Sequence, residues 1–301
     1  MKILITGGTG LIGTAMQESL QKKGHQITIV SRNPLQTIPG VSFISWDLDP
    51  LTRELEDTDA VVNLAGASLA GSNPVTIRWT KNRREEIINS RTRAGDILCT
   101  ALEKTHKKPE ILIQASAIGY YGNIGKEQVD ESSAVGSDFL AQVCQSWEAS
   151  TARAEELGVR RIIARIGLVL SDKGGLLPLL SLPFRLLIGG TIGSGEQFMS
   201  WIHIADLVKS LEHFLENANT QGIYNITAPE PVTNRVFAAE VGRSLNKPIW
   251  LPIPGFAMKL VLGKAATLAL DGREVLPGRL LESGFQYQFS QLPQALDDLY
   301  L

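Results

Sequence analysis

The run Lys2-Ile3-Leu4-Ile5-Thr6-Gly7-Gly8-Thr9-Gly10-Leu11-Ile12-Gly13 constrains this chain more than any other feature. A short apolar run leads without a linker into a glycine-rich turn and then an amphipathic stretch, which reads as strand, turn and helix start. In that setting each glycine has its own use. Gly7 permits the tight turn, Gly10 lets backbone N–H groups approach a pyrophosphate, and Gly13 lets the helix pack closely on a sheet. Thr9, Leu11 and Ile12, between these glycines, complete the expected dinucleotide contacts. A purely structural βα turn is the alternative, and the immediate strand and helix on either side weigh against it.

About 20 residues beyond such a turn, NAD-specific folds place an acid against the ribose 2′-OH, whereas NADP-specific folds place an arginine near the 2′-phosphate. Here the second apolar run ends Ile29-Val30-Ser31-Arg32. A guanidinium attracts phosphate where a carboxylate repels it, and the Ser31 hydroxyl adds a donor, so NADP(H) is the expected cofactor. An exposed turn arginine is the other reading of Arg32. Asp47, after the third run, is placed to reach an adenine amino group. Leu64, Ala65 and Gly66, after the fourth, offer small residues and free backbone groups beside the adenosine ribose. Core packing accounts for Leu64 and Ala65 about as well.

The first half alternates strand and helix patterns in the manner of a parallel sheet with crossover helices. Strands are predicted at Lys2–Thr6, Gln26–Ser31, Ser42–Trp46, Ala60–Leu64, Ile111–Ala115 and Arg161–Ile166, with helices near Leu11–Lys23, Thr80–Lys104 and Ser137–Leu157. This is the α/β class, a doubly wound Rossmann sheet. The 301 residues suffice for two units at ~150 residues each. Expected boundaries are 1–167 for an NADP-binding unit and 168–301 for a smaller C-terminal α/β substrate lobe. A helix at His203–Asn217 and a strand at Ile223–Thr227 would return to the sheet. The proline-punctuated tail is expected over the carboxyl ends of the strands.

With 29 Lys+Arg against 31 Asp+Glu the net charge is -2, which favours neither nucleic acid nor a membrane surface, so a small-molecule substrate is expected. The sequence leaves the oligomeric state open. Cys99 and Cys144 lack CxxC spacing and a histidine cluster, so no metal site or disulfide framework is expected, and the setting reads as reducing and cytoplasmic. An apolar strand directly after Met1 leaves no room for a signal peptide. The segment Leu176–Ile188 is shorter than the ~20 residues that span a bilayer and reads as buried or pocket-lining.

The Gly7-x-x-Gly10-x-x-Gly13 spacing occurs together with Val62-Asn63-Leu64-Ala65-Gly66, Asn89-Ser90-Arg91, Gly119-Tyr120-Tyr121-Gly122, Trp147-Glu148, Gly193-Ser194-Gly195 and Trp201-Ile202-His203-Ile204. This set resembles the extended short-chain dehydrogenase/reductases, the NAD-dependent epimerase/dehydratase family. The likeness narrows to an atypical branch of YfcH-like epimerase family proteins and spans nearly the whole chain. It implies further cofactor contacts from Glu86 and Arg91. Five positions separate these two, roughly 140° around a helix modulo a turn, so periodicity alone does not join them. A solvated helix charge is the other reading of Arg91.

Active members of that family use a tyrosine as general acid/base, a lysine four residues later that lowers its pKa, and a serine that positions the substrate oxygen. Ser116 matches the serine. Counting back from Trp147-Glu148, the tyrosine and lysine positions hold Leu140 and Cys144, and neither can take over those roles. Three explanations stand open. Tyr120 or Tyr121 supplies a phenol from another position, His203 acts as acid/base with an unperturbed pKa of ~6.5, or no proton transfer occurs. An aromatic wall and a hydrogen-bonded structural histidine are the plainer readings of these residues. Cys144 reads as packing, and Asp206 as a helix-dipole or capping carboxylate. Two functions follow: an NADP(H)-dependent oxidoreductase or epimerase-like enzyme for a small carbonyl or sugar-type substrate, or a catalytically degenerate NADP-binding regulator, which the resemblance links to cell division.

Overall fold

A computed structural model describes residues 1–35, 37–69, 78–122, 127–250 and 252–301, apart from the side chain of Val261. The first half comprises β1 (Lys2–Thr6), α1 (Leu11–Lys22), β2 (Gln26–Val30), β3 (Val41–Ile44), α2 (Leu48–Leu55), β4 (Ala60–Asn63), α3 (Lys81–Lys104), β5 (Ile111–Ala117), α4 (Phe139–Ala149), α5 (Arg153–Glu156) and β6 (Arg160–Ile166). There follow β7 (Leu168–Leu170), α6 (Leu177–Arg185), β8 (Phe198–Met199), β9 (Trp201–His203), α7 (Ile204–Glu216), β10 (Gly222–Ile226), β11 (Val232–Thr233) and α8 (Asn234–Ser244). The tail holds α9 (Gly255–Leu262), α10 (Thr267–Leu270), α11 (Gly278–Glu282) and α12 (Leu292–Tyr300).

Seven parallel strands form one sheet in the order β10-β6-β5-β4-β1-β2-β3. Strand side chains alternate between faces, so each apolar run feeds two cores. Ile3, Ile5, Val62, Ile113 and Ile162 meet Met16 and Leu20 of α1 and Leu207, Leu211 and Phe214 of α7. Leu4, Val61 and Leu112 meet Leu51 and Leu55 of α2 and Leu98 and Leu102 of α3 on the other face. This double coverage is why the strands read as continuous apolar runs.

The strand ends shift by one or two residues from the sequence reading. Ser31, Trp46 and Leu64 lie in loops, and β5 runs on to Ala117. The single helix expected over Ser137–Leu157 is two. Between α4 and α5, Ala152 N–H donates to Ala149 O and Ala154 N–H to Thr151 O, the tighter i→i+3 pattern. That break falls where α3 comes close, since a Cβ on Gly95 would sit 2.0 Å from Ser150 Oγ.

After β6 the chain builds a second core. Leu170, Leu177, Phe184, Met199 and Trp201 pack with Phe237 and Val241 of α8 and with Leu292 and Leu296 of α12. Residues 204–226 return to the sheet as α7 and β10. The segment Leu176–Ile188 departs from expectation: Leu177 and Phe184 are buried, but Leu179, Leu182, Leu186, Leu187 and Ile188 are exposed. Asp206 is fully buried and caps nothing; its two oxygens accept from the N–H groups of Gln288 and Phe289, both at 2.8 Å, and tie the tail to α7. Among the described residues no helix is long and apolar enough to cross a membrane.

Candidate functional site

Strand order reverses between β1 and β4, and in doubly wound sheets ligands enter the crevice at the carboxyl ends on either side of such a switch. The glycine turn lies there. Gly7 has φ +68°, a left-handed conformation that glycine tolerates, and a Cβ on it would lie 2.6 Å from Leu64 O. A Cβ on Gly13 would fall 2.5 Å from both Gly7 O and Gly8 Cα, so helix and turn touch through this residue. Gly10 stands at the N-cap of α1 with no side-chain cap and no acid in the first turn, which leaves N–H groups and the positive dipole end for an anion. Thr9 and Gly10 are exposed, and Leu11 and Ile12 are half-buried.

A buried polar ladder fixes this turn against the neighbouring strands. Thr6 Oγ1 donates to Asn63 Oδ1 at 2.5 Å, and Asn63 Nδ2 donates to Gln114 Oε1 at 2.7 Å. Ala65 N–H reaches Thr6 Oγ1 at 3.3 Å. Leu64 and Ala65 thus serve the turn through their backbones.

In the β1–β2 register Thr6 stands opposite Val30, so Ser31 and Arg32 emerge beside the glycine turn. Ser31 Oγ accepts from Asn33 N–H at 3.0 Å. Arg32 is exposed and makes no hydrogen bond or ion pair with any described residue. Asp47 is exposed, with one carboxylate oxygen accepting from Ser45 Oγ at 2.6 Å.

Helix α3 holds the loop after β4. Ser90 Oγ accepts from Ala67 N–H at 3.0 Å, while Arg91 Nη1 donates to Ala67 O and Ile87 O, each at 3.0 Å. A Cβ on Gly66 would lie 2.9 Å from Arg91 Cζ. Arg91 is buried without a carboxylate, its Nε has no partner, and its guanidinium lies 4.7 Å from the Trp147 ring. Burial lowers its pKa to about 10, so it stays cationic at neutral pH. Glu86 instead points to Arg83, in an exposed ion pair at 2.6 Å.

A cavity of about 240 Å³ opens beyond this loop, between the ends of β5 and β6, helix α4 and the tail. Leu140 and Cys144 both line it, so the positions of the family's tyrosine and lysine do face the site. Cys144 Sγ donates to Ala117 O at 3.5 Å, and burial, then the nearby Glu148 charge, push its thiol up to about 12.

None of the four acid/base candidates lines that cavity. Ser116 Oγ donates to Glu148 Oε1 at 2.7 Å. Glu148 takes both Nε and Nη2 of Arg165 at 2.9 Å, and Arg165 Nη1 meets Tyr121 Oη at 3.1 Å. Tyr121 in turn donates to Asn225 Oδ1 at 2.7 Å, and the Tyr120 ring lies 3.3 Å from Arg165 Cζ. Burial pushes the Tyr121 phenol up to about 12. His203 is the N-cap of α7: its Nδ1 accepts from Ala205 N–H at 3.2 Å and its ring packs 4.0 Å from Phe289. All four side chains are engaged with other residues of the fold and lie outside the cavity's lining. Sequence reasoning missed the Glu148–Arg165 pair, toward which only Trp147-Glu148 pointed; it expected the tail over the strand ends but did not single out Thr267, Leu268, Asp271 and Arg273, which line the cavity.

The profile of the NAD dependent epimerase/dehydratase family matches residues 3–227, and a domain of unknown function, DUF1731, matches residues 253–299. The chain is 37% identical over 303 residues to "Epimerase family protein YfhF" of Bacillus subtilis, covering 99% of this chain and 98% of that one. It superposes on the crystal structure of human epimerase family protein SDR39U1 (isoform2) with NADPH at a TM-score of 0.91, with 36% identity, 100% of this chain and 99% of that one. A nucleoside-diphosphate sugar epimerase from Corynebacterium glutamicum gives a TM-score of 0.79 and 30% identity, covering 100% of this chain and 58% of that one.

Proposed function

From a chain that belongs to the NAD dependent epimerase/dehydratase family, we propose an NADP(H)-dependent oxidoreductase or epimerase-like protein acting on a small carbonyl or sugar-type substrate. One observation carries the choice of cofactor: Arg32, exposed and unpaired among the described residues, stands two residues beyond β2 beside a glycine turn with free N–H groups. The turn would hold the diphosphate, Ser31 and Arg32 the 2′-phosphate, and Asp47 the adenine. Arg91, which packs into the space a Cβ on Gly66 would take and keeps its Nε unpartnered, fits a further anionic or ribose contact. SDR39U1, the neighbour at TM-score 0.91, was solved with NADPH.

Bound NADPH supplies hydride to a carbonyl carbon. The chain's own part is then positioning and electrostatics. Leu140 and Cys144 give the cavity no phenol–ammonium pair, so the carbonyl oxygen is stabilised by cations such as Arg91 and takes its proton from solvent. The same two residues are the observation that favours the rival, a cofactor-binding regulator without turnover.

Calorimetry of Arg32→Ala separates the cofactors. A lost charge-assisted contact of ~1.5–3 kcal/mol weakens NADPH about 10- to 100-fold and leaves NADH nearly unchanged. Equal losses for both refute the assignment. Oxidation of NADPH by a carbonyl panel tests turnover, and tight binding with none favours the regulator.

A further inference from the structure

Taking the cavity at the ends of β5 and β6 as the substrate site, as proposed above, we infer that Arg273 anchors an anion there and that the substrate is a small, mainly apolar carbonyl compound bearing a carboxylate. The walls state the apolar part. Leu140, Val143, Trp147, Leu168, Met199 and Leu268 line the space. At about 240 Å³ it is smaller than the ~300–1,000 Å³ usual for drug-sized ligands. A nucleotide sugar would set hydroxyls and a diphosphate against hydrocarbon that cannot hydrogen-bond them.

Arg273 states the anionic part. It lines the cavity from the tail, its Nε is buried without a partner, and its side chain pairs with no described residue. The backbone around it is held firmly. Ser200 Oγ donates to Arg273 O at 2.7 Å and accepts from Val275 N–H at 3.0 Å. A Cβ on Gly272 would lie 2.0 Å from Phe198 O, so this stretch of tail is pressed onto β8. The other cavity charges have roles of their own: Asp138 accepts from Ala141 N–H at 2.9 Å, Asp271 has an interaction of its own, and Arg91, whose Nη1 donates to the carbonyls of Ala67 and Ile87, is assigned above to the cofactor and the carbonyl oxygen. A guanidinium pre-set on a rigid loop in apolar surroundings is suited to a carboxylate fork.

The test titrates full-length protein, first with NADPH and then, once saturated, with trans-cinnamate, its neutral amide and UDP-glucose. Cinnamate is expected to bind at least ~10-fold more tightly than the amide, the worth of one charge-assisted contact. Arg273→Gln should remove that preference without changing NADPH affinity, and Arg273→Lys should restore part of it. Equal binding of acid and amide, a preference that survives Arg273→Gln, UDP-glucose binding above cinnamate, or no cinnamate binding to the saturated protein would each overturn the proposal. Failure of the cofactor reading shows separately, in the first titration.

Discussion

Arg165 keeps its charge with 1% of its side chain exposed, which requires Glu148 on its Nε and Nη2, Tyr121 on its Nη1 and Tyr120 over its plane. Burial alone would depress its pKa, yet the hydrogen bonds and charge of Glu148, with Tyr121, carry it above the ordinary arginine value. Removing one partner strands a buried charge. Glu148→Gln should cost roughly 3–5 kcal/mol in denaturant unfolding, and a change under 1 kcal/mol would mean the network contributes little. The same network takes in Ser116, Tyr120 and Tyr121, the acid/base candidates the sequence offers. Their residue types and their position at the end of β5 are visible in the chain order, but the partners that occupy them come from α4, β6 and β10, up to 104 positions away.

At the scale of elements, α1 depends on Gly13. A Cβ there would overlap Gly7 O and Gly8 Cα, both backbone atoms that can yield only if helix and turn separate. Gly13→Ala should therefore lower stability by about 1–3 kcal/mol and weaken NADPH in the same protein, seen by melting and calorimetry together. Helix α7 depends on His203, whose Nδ1 must be unprotonated to accept its cap. Burial lowers the His203 pKa despite Asp298, Asp206 and Asp172 nearby, and His25 is lowered as well. Unfolded histidine takes up its proton at ~6.5, before the folded form does, so this stability is complete above that pH and is lost as pH falls below it. His203→Asn, which keeps a capping oxygen, should flatten the fall in stability below pH ~6.5. An unchanged profile would clear His203 of this role.

At the scale of the whole molecule, the tail is joined to the rest through Asp206 and Ser200, and it contributes Thr267, Leu268 and Arg273 to a cavity whose floor is the end of the sheet. A ligand bound across such a junction stabilises the folded state by mass action. NADPH at a hundredfold excess over Kd should add about 2.7 kcal/mol and raise the melting temperature, and Arg32→Ala should remove most of that rise. The order of elements, the glycine turn and the arginine after β2 were set by the sequence, because each depends on residues adjacent in the chain and on a hydrophobic period of two or 3.6. The helix start at His203 was legible too, but nothing in the order of residues brings Glu148 to Arg165, keeps Tyr120 and Tyr121 out of the cavity's lining, or brings Arg273 and Trp147 to one cavity. Those assignments depend on which distant elements pack together, and only the folded chain decides that.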